Sequence, residues 1–156
     1  MLDINIPGAQ PLSLSHLILD YNGTLACAGS ILPGVAERLK ILAEHLEIHI
    51  VTADTFGSVR AQVAHLPVQL AVIPPEKQAQ AKADYLNTLG PASSVAIGNG
   101  RNDALMLQQA TLGIAVVQTE GAATAALLAA DVVTPGIIDA LDLLIHPNRL
   151  KATLRL

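Results

Sequence analysis

Residues 17–26, LILDYNGTLA, decide the fold, because an apolar run ends there at an acid, Asp20, and the chain then turns through Asn22 and Gly23. A short apolar run bounded by turn residues is typical of a strand buried inside a sheet. The residue that follows such a strand lies at the edge of the sheet. The sequence therefore predicts that Asp20 is held at the carboxyl end of a buried strand, where it can meet a ligand.

The composition favours a single α/β domain over residues 1–156. The chain is 51% hydrophobic but has three aromatic residues in all, so Ala, Val, Ile and Leu must build its core. Such residues suit a parallel sheet that is covered by helices on both faces. A chain of this length can bury most of its apolar surface in one core.

Charge and apolar patterning predict a cytoplasmic protein that binds neither membranes nor nucleic acid. The apolar stretches are shorter than the roughly 18 residues of a membrane span. The start, MLDINIPG, does not resemble a signal peptide, and a single cysteine, Cys27, cannot form an internal disulfide. The net charge is −4 and there is no Lys/Arg cluster, which argues against a nucleic-acid-binding surface. A small anionic ligand could still bind at a helix terminus, which needs no net positive charge.

Strand-like and helix-like segments alternate along the chain. LDINI and LSLSHLILDY, separated by PGAQP, predict an N-terminal β-hairpin whose second arm continues into the core. Helical spacing follows from Pro33, and Pro74 and Pro75 are expected to open a helix that ends at Gly90. Further strands are predicted at EIHIVTAD, VQLAVI, SSVAIG, LGIAVV and DVV, and further helices at GSVRAQVAHL, DALMLQQA, EGAATAALLAA and PGIIDALDLLI. The alternation indicates a three-layer, doubly wound, mainly parallel sheet of the Rossmann-like kind.

Polar residues directly follow several predicted strands, at the edge where such sheets bind ligands. A lysine, Lys77 or Lys82, lies on the helix between the last two groups. A carboxylate, a hydroxyl, an ammonium group and a second acid form a set suited to phosphoryl transfer. The groups are Asp20, Asn22, Gly23 and Thr24; Thr52, Ala53 and Asp54; and Asn99, Gly100, Asn102 and Asp103.

Three of these segments carry a resemblance to a known superfamily. DYNGTLA resembles the first motif of the haloacid dehalogenase-like (HAD) hydrolases, whose phosphatases usually have Asp-x-Asp-Gly-Thr, and VTAD resembles the second. AIGNGRNDALML is similar to the fourth motif in the form found in P-type ATPases. The segment between GTLA and Pro33 is too short for an inserted cap domain. The chain thus resembles the capless, soluble, P-type-ATPase-like members, whose open sites a neighbouring subunit of a homo-oligomer can cover.

The resemblance implies a role for each candidate residue. Asp20 would be the nucleophile that forms an aspartyl-phosphate, and Thr52 and a lysine would bind the phosphoryl group. Further phosphate and loop contacts are implied for Asn22, Gly23, Thr24, Ala53 and Asn102, and Mg²⁺ ligands for Asp20, the carbonyl of Asn22, Asn99 and Asp103.

Helical spacing favours Lys82 over Lys77 as the lysine of the third motif. Apolar residues follow Lys82 by three, four and seven positions, at Tyr85, Leu86 and Leu89. Lys77 remains an alternative, because PPEK resembles the Pro-Glu-Asp-Lys segment of P-type ATPases.

Two amides stand where the superfamily's phosphatases carry acids. Asn22 replaces the Asp that protonates the leaving group, and an amide does not exchange protons near neutral pH. Asn99 replaces a metal-binding Asp and offers an oxygen without a negative charge. We therefore predict a slow Mg²⁺-dependent hydrolase of a phosphorylated small molecule, a nucleotide or a phosphoprotein. The alternative is a non-turnover phosphate-binding or phosphoenzyme-trapped regulatory module.

The histidines show no metal-ligand spacing in the sequence. Surface or structural roles are expected for His16, His45, His49, His65 and His146.

Overall fold

The computed structural model describes residues 1–54 and 57–156, which form ten strands and seven α-helices. The strands are β1 (Leu2–Ile4), β2 (Leu12–Leu14), β3 (His16–Leu19), β4 (Ala26–Cys27), β5 (Ser30–Ile31), β6 (Glu47–Thr52), β7 (Gln69–Val72), β8 (Ser94–Gly98), β9 (Leu112–Val116) and β10 (Val132–Thr134). The helices are α1 (Val35–Leu42), α2 (Ser58–Val63), α3 (Gln78–Leu89), α4 (Ala104–Gln109), α5 (Thr124–Ala129), α6 (Ile137–Ile145) and α7 (Pro147–Leu154).

Six of these strands form the central sheet in the order β10-β9-β8-β3-β6-β7, and all five neighbouring pairs are parallel. From β3 the chain adds β6 and then β7 on one side of the sheet. It then returns to the other side of β3 and adds β8, β9 and β10. The winding direction therefore reverses between β3 and β8. In doubly wound sheets a crevice opens at the carboxyl ends of the two strands at such a reversal.

Apolar side chains on the two faces of the sheet pack against different helices. Leu17 and Leu19 of β3 join a cluster with α1, α2, α6 and α7, whereas Ile18 between them joins a cluster with α3, α4 and α5. The alternation follows from the period of two in a strand. Both faces are covered, which explains why β8 and β9 are buried along their whole length. The predicted three-layer α/β fold is confirmed.

The N-terminal hairpin is present, but its second arm does not run unbroken into the core. β1 and β2 pair antiparallel as a separate sheet. At Ser15 the chain stops pairing with β1. The N–H of Ser15 donates to Ser93 O (2.8 Å), and Ser15 O accepts from the N–H of Glu47 (2.9 Å). β3 thus begins as a new strand between β6 and β8.

Three local features differ from the sequence prediction. The helix expected from Pro74 begins later, at Gln78, because Lys77 has a left-handed backbone (φ 57°). A short hairpin, β4–β5, follows the Asp20 loop, and its tip residues Ala28 and Gly29 both have positive φ, as a two-residue type I′ turn requires. A last helix, α7, begins at Pro147, where a proline suits the first helical position.

No cap domain is inserted within residues 1–54 and 57–156. Over the same residues, no helix has both the length and the apolar character that a membrane crossing requires.

Candidate active site

The carboxyl ends of β3, β6 and β8 surround an open, largely polar crevice of about 280 Å³. Asp20 follows β3 and Asn99 follows β8, so both lie at the point where the winding direction reverses. Thr52 closes β6 beside them. The crevice is lined by Asp20, Asn22, Thr52, Ala53, Gln78, Lys82, Asn99, Gly100, Asn102 and Glu120.

A buried lysine joins two carboxylates at the base of the crevice. Lys82 Nζ lies 2.6 Å from Asp20 Oδ1 and 2.7 Å from Asp103 Oδ1. The Lys82 side chain is 1% exposed, and the Asp20 and Asp103 side chains are 9% and 0% exposed. A buried ammonium group is stable only with such partners, since its desolvation costs several kcal/mol. The helical spacing on α3 places Lys82 inward, whereas Lys77 lies exposed at the start of that helix.

Burial and neighbouring charges raise the pKa values of both Asp20 and Lys82, although burial alone acts in opposite directions on the two groups. Burial and the neighbouring carboxylate of Asp103 raise the pKa of Asp20 to about 6, although Lys82 and the Thr24 hydroxyl act in the other direction. Burial lowers the pKa of Lys82, but the carboxylates of Asp20 and Asp103 outweigh it and raise that pKa above its usual value. At neutral pH the site therefore contains an ammonium group beside a largely ionised Asp20.

The loop after β3 is tied to its own backbone and favours glycine at position 23. Tyr21 O accepts hydrogen bonds from the N–H groups of Thr24, Leu25 and Ala26 at 3.2, 2.9 and 3.0 Å. Gly23 has a φ of 79°, and a Cβ there would overlap the Glu120 carboxylate and lie 2.6 Å from Asn99 Nδ2. The close approach of Asn99 to this backbone thus depends on the missing side chain.

The Thr24 hydroxyl fixes the rotamer of Asp20. Thr24 Oγ1 donates to Asp20 Oδ2 at 2.9 Å and lies 3.3 Å from Asn99 Oδ1. Asn99 Nδ2 donates to Gly121 O at 3.0 Å, which leaves Asn99 Oδ1 facing the Thr24 hydroxyl. One oxygen of Asp20 is thus held by Lys82 and the other by Thr24.

Asp103 lies behind the crevice and organises the loop after β8. Its Oδ2 accepts from the N–H groups of Asn99 (3.0 Å) and Gly100 (2.8 Å), and its Oδ1 accepts from Lys82. A Cβ on Gly98 would lie 2.5 Å from the Asp103 carboxyl carbon, so the carboxylate packs directly on the strand end. Asp103, expected as a metal ligand, is fully buried and is not among the residues that line the crevice.

The structure brings the other expected residues to one place. Asp20, Lys82, Thr24 and Asn99 contact one another or a shared neighbour, with Gly23 against Asn99. Expected residues that line the crevice around them are Asn22, Thr52, Ala53 and Asn102. Asn102 Nδ2 donates to Gln78 Oε1 at 2.8 Å, which connects the loop after β8 to the start of α3.

Sequence reasoning missed Glu120 and Gln118, which come from the loop after β9. Glu120 lines the crevice and lies against Gly23, near the amide of Asn99. Gln118 Nε2 donates to the carbonyls of Gly23 (3.1 Å) and Thr24 (2.9 Å), and its Oε1 accepts from the N–H of Ile137 at the start of α6 (2.9 Å). The available signal was their position directly after a predicted strand, the rule that identified Asp20 and Asn99.

The donor set at the crevice fits a magnesium ion. Mg²⁺ prefers oxygen ligands and usually takes one or two carboxylates. Asp20 Oδ2 and Asn99 Oδ1 both approach the Thr24 hydroxyl, so the two oxygens converge on one region. Asn22 and Glu120 supply further oxygens around the same crevice.

Comparison with known sequences finds relatives without a stated function. No family model matches the chain. The uncharacterized protein MJ0073 of Methanocaldococcus jannaschii is 56% identical over 61 residues, which are 39% of this chain and 66% of that protein. The uncharacterized protein MJ0072 of the same organism is 56% identical over 39 residues, 25% of this chain and 89% of that protein. The matched segment thus spans about two thirds of the first relative and most of the second.

Comparison with solved structures identifies the fold. A protein from Legionella pneumophila described as a HAD superfamily (subfamily III A) hydrolase superposes with a TM-score of 0.72 at 21% identity, over 90% of this chain and 86% of that one. A 3-deoxy-D-manno-octulosonate 8-phosphate phosphatase from Moraxella catarrhalis, solved with magnesium and phosphate ions, superposes with a TM-score of 0.68 at 15% identity. The superposition covers 91% of this chain and 94% of that one. A zinc-transporting PIB-type ATPase superposes with a TM-score of 0.59 at 26% identity, over 79% of this chain and 20% of that one. The chain therefore has a HAD-like fold.

Proposed function

We infer that this chain, which belongs to the same family as MJ0072 and has the fold of the HAD hydrolases, is an Mg²⁺-dependent phosphoryl-transfer hydrolase that works through an aspartyl-phosphate on Asp20. Residues 1–156 would act as one catalytic domain. The observation that supports this most directly is the contact of Lys82 with both Asp20 and Asp103 at the base of an open polar crevice. A buried lysine between two acids, with one acid facing the crevice, suits attack on an anionic phosphoryl group.

Asp20 supplies the attacking oxygen. One carboxylate oxygen of Asp20 forms a bond to phosphorus while the bond from phosphorus to the leaving oxygen breaks. A water molecule then attacks the same phosphorus, which releases inorganic phosphate and restores the Asp20 carboxylate. Thr24 holds the rotamer of Asp20 throughout, and Lys82 offsets negative charge on the carboxylate and on the transferred group.

Other residues at the crevice would bind the phosphoryl oxygens and the cation. Thr52, Ala53 and Asn102, which line the crevice, would contact the phosphoryl group. Asp20, the carbonyl of Asn22 and Asn99 would hold Mg²⁺, which neutralises charge on the phosphate when it is bound. We assign Asp103 to positioning Lys82 and the Asn99 loop, because its two oxygens already accept three hydrogen bonds.

The absence of an acid at position 22 makes slow hydrolysis of the phosphoenzyme the expected behaviour. The exposed Asn22 cannot take a proton from the attacking water. Loss of a general acid–base group typically costs a factor of about 10² to 10⁴ in rate. Glu120 lies at the same crevice and is the acid that we propose supports the remaining turnover.

The substrate class follows from the open crevice. Without a cap, a phosphorylated small molecule, a nucleotide or a phosphoprotein could reach Asp20, and a second copy of the chain could cover the site. The Moraxella catarrhalis neighbour is named for a phosphorylated sugar acid, and we place small phosphate esters first among substrates to test.

Mass spectrometry of the intact protein tests the covalent step. Wild type incubated with Mg²⁺ and acetyl phosphate should gain one phosphoryl group, and Asp20→Asn should gain none. Asp54→Asn is the matched control, because Asp54 also follows a strand but does not line the crevice. An adduct on wild type without release of phosphate would favour the non-turnover module. No adduct and no hydrolysis over a broad panel of phosphates would rule out the enzyme.

A further inference from the structure

Two histidines and a glutamate meet at the amino ends of β3 and β6, at the opposite end of the sheet from Asp20. His16 Nδ1 lies 3.4 Å from His49 Nε2 and 3.5 Å from Glu47 Oε2, and the His49 nitrogen lies 3.9 Å from the same Glu47 oxygen. The register explains the meeting, since His16 is paired with Glu47 across the two strands and His49 follows two residues later on the same face. Their separation along the chain hid the cluster in the sequence.

Two of the three distances match the edges of a tetrahedral metal site, and the third is slightly longer. Two ligand atoms at about 2.0 to 2.2 Å from a tetrahedral ion lie about 3.3 to 3.6 Å apart. Two of the three edges fall in this range and the third needs a small movement of the Glu47 side chain, which is 64% exposed. The His16 to His49 distance is also longer than the roughly 2.7 to 3.2 Å of a good N–H hydrogen bond.

The second nitrogen of His49 already has the kind of partner that orients a ligating imidazole. His49 Nδ1 lies 2.9 Å from the Tyr85 hydroxyl on α3. With the proton on Nδ1 donated to Tyr85, the Nε2 lone pair points at His16 and Glu47. Metal-bound histidines almost always have such a partner on the other ring nitrogen.

We propose that His16, Glu47 and His49 bind a late first-row divalent ion such as Zn²⁺, with a water molecule in the fourth position. Two imidazoles and a carboxylate select Zn²⁺ or a similar ion over Mg²⁺, which prefers oxygen ligands. Asp20 lies roughly 13 Å from His16 along β3, at a rise of about 3.3 Å per residue, so the site is separate from the proposed active site. The ion would join the amino ends of two central strands and stabilise the fold.

Zn²⁺ titration in excess Mg²⁺ tests this site, because Mg²⁺ occupies oxygen-ligand sites and leaves the imidazoles available. Wild type should bind one Zn²⁺ ion per chain and unfold at a higher temperature with Zn²⁺ than without it. His16→Gln and Glu47→Gln should each lower the affinity at least about 10-fold, and Tyr85→Phe should lower it about 10- to 100-fold as loss of an orienting partner does. His65→Gln is the matched control, since His65 is exposed and lies outside the cluster.

Cobalt substitution gives a second readout that does not depend on stability. Co²⁺ at the three ligands should give the intense visible absorption of a four-coordinate ion, and His16→Gln should abolish it. Glu47 is exposed, so Glu47→Gln should fold normally. This variant therefore still tests the metal site if a histidine variant does not fold. Equal stoichiometry and affinity in wild type, His16→Gln and Glu47→Gln, or no Zn²⁺ bound by wild type at neutral pH, would show that the cluster is only a hydrogen-bonded histidine pair.

Discussion

The contacts of Lys82 with Asp20 and Asp103 matter both for the stability of the fold and for the proposed reaction. Its ammonium group is the shared partner of Asp20 and Asp103. Removing one member of a buried ion pair leaves an uncompensated charge and typically costs about 3 to 5 kcal/mol. The same change removes the group that offsets charge on an incoming phosphate.

We expect Lys82→Met to lower the free energy of unfolding by about 3 to 5 kcal/mol and to abolish phosphoenzyme formation below its unfolding temperature. Lys77→Met should change neither quantity, because Lys77 is exposed at the start of α3. Urea unfolding and intact-mass measurements check both. The lysine assignment is wrong if Lys77→Met loses the adduct while Lys82→Met keeps it.

Asn22→Asp should restore an acid–base group at the crevice. The new carboxylate could take a proton from the attacking water, so the phosphoenzyme should hydrolyse about 10² to 10⁴ times faster. The decay of the phosphorylated mass peak after removal of acetyl phosphate measures the rate. Asn87→Asp, on the exposed side of α3, is the control, and an unchanged half-life in Asn22→Asp would contradict the acid–base explanation.

Asp20 should make folding less favourable as the pH rises. Its pKa is about 6 in the folded protein against an ordinary value of 3.8. A carboxyl group with a raised folded pKa contributes stability that is fully present below the ordinary value and is lost as the pH rises through about 6.

Asp20→Asn should therefore unfold at a higher temperature than wild type at about pH 8 without Mg²⁺, and this advantage should shrink toward about pH 4. Thermal unfolding across this range checks the trend, with the exposed Asp84→Asn as control. A difference between Asp20→Asn and wild type that does not vary with pH would contradict the raised pKa.

At the scale of secondary-structure elements, β9 and α4 pack closely against each other at a glycine. A Cβ on Gly113 in β9 would overlap the carbonyl oxygen of Leu107 and lie 3.0 Å from its carbonyl carbon. This backbone contact sets how α4 packs below the loop that carries Asn99 and Asp103.

Gly113→Ala should destabilise the protein by about 1 to 3 kcal/mol, the usual cost of forcing extra volume into a packed interior. Gly136→Ala is the control, because Gly136 has extended backbone and its Cβ would meet Gln118 Oε1 at an ordinary 3.4 Å. Urea unfolding compares the two. Equal free energies of unfolding for both variants would contradict the close-packing explanation.

Elements defined by local patterns could be predicted from the sequence, and those that depend on distant partners could not. The central strands and most helices follow from apolar periodicity, and the residues at strand ends identified Asp20, Thr52 and Asn99. The break at Ser15 could not be predicted, because it depends on the backbones of Ser93 and Glu47. Glu120 lies just after the predicted strand LGIAVV but in no recognisable motif, and its approach to Gly23 arises from the order of the strands in the sheet, which the sequence does not state.

At the scale of the whole molecule, the crevice lies between two halves of the sheet that are built in opposite directions. β3, β6 and β7 form one half, and β8, β9 and β10 form the other. A ligand bound at their boundary contacts residues from both halves, so binding should be coupled to global unfolding rather than to one loop.

Mg²⁺ with inorganic phosphate should raise the unfolding temperature of wild type in a single transition. The gain should approach about 2.7 kcal/mol at a ligand concentration 100 times Kd. Lys82→Arg should reduce this gain, because a planar guanidinium does not reproduce the contacts of a compact ammonium group. Differential scanning calorimetry measures the shift, and an equal shift in wild type and Lys82→Arg would place the bound phosphate elsewhere.

The β4–β5 hairpin also has a use in protein engineering. Its strands enter and leave the fold side by side, and its exposed tip at Ala28 and Gly29 is fixed by a hydrogen bond from the Tyr21 hydroxyl to Gly29 O (3.2 Å). Exposed tips of this kind tolerate inserted domains. A binding module spliced between Ala28 and Gly29 would be attached to the hairpin that directly follows the Asp20 loop, so it could recruit chosen phosphorylated molecules to this protein.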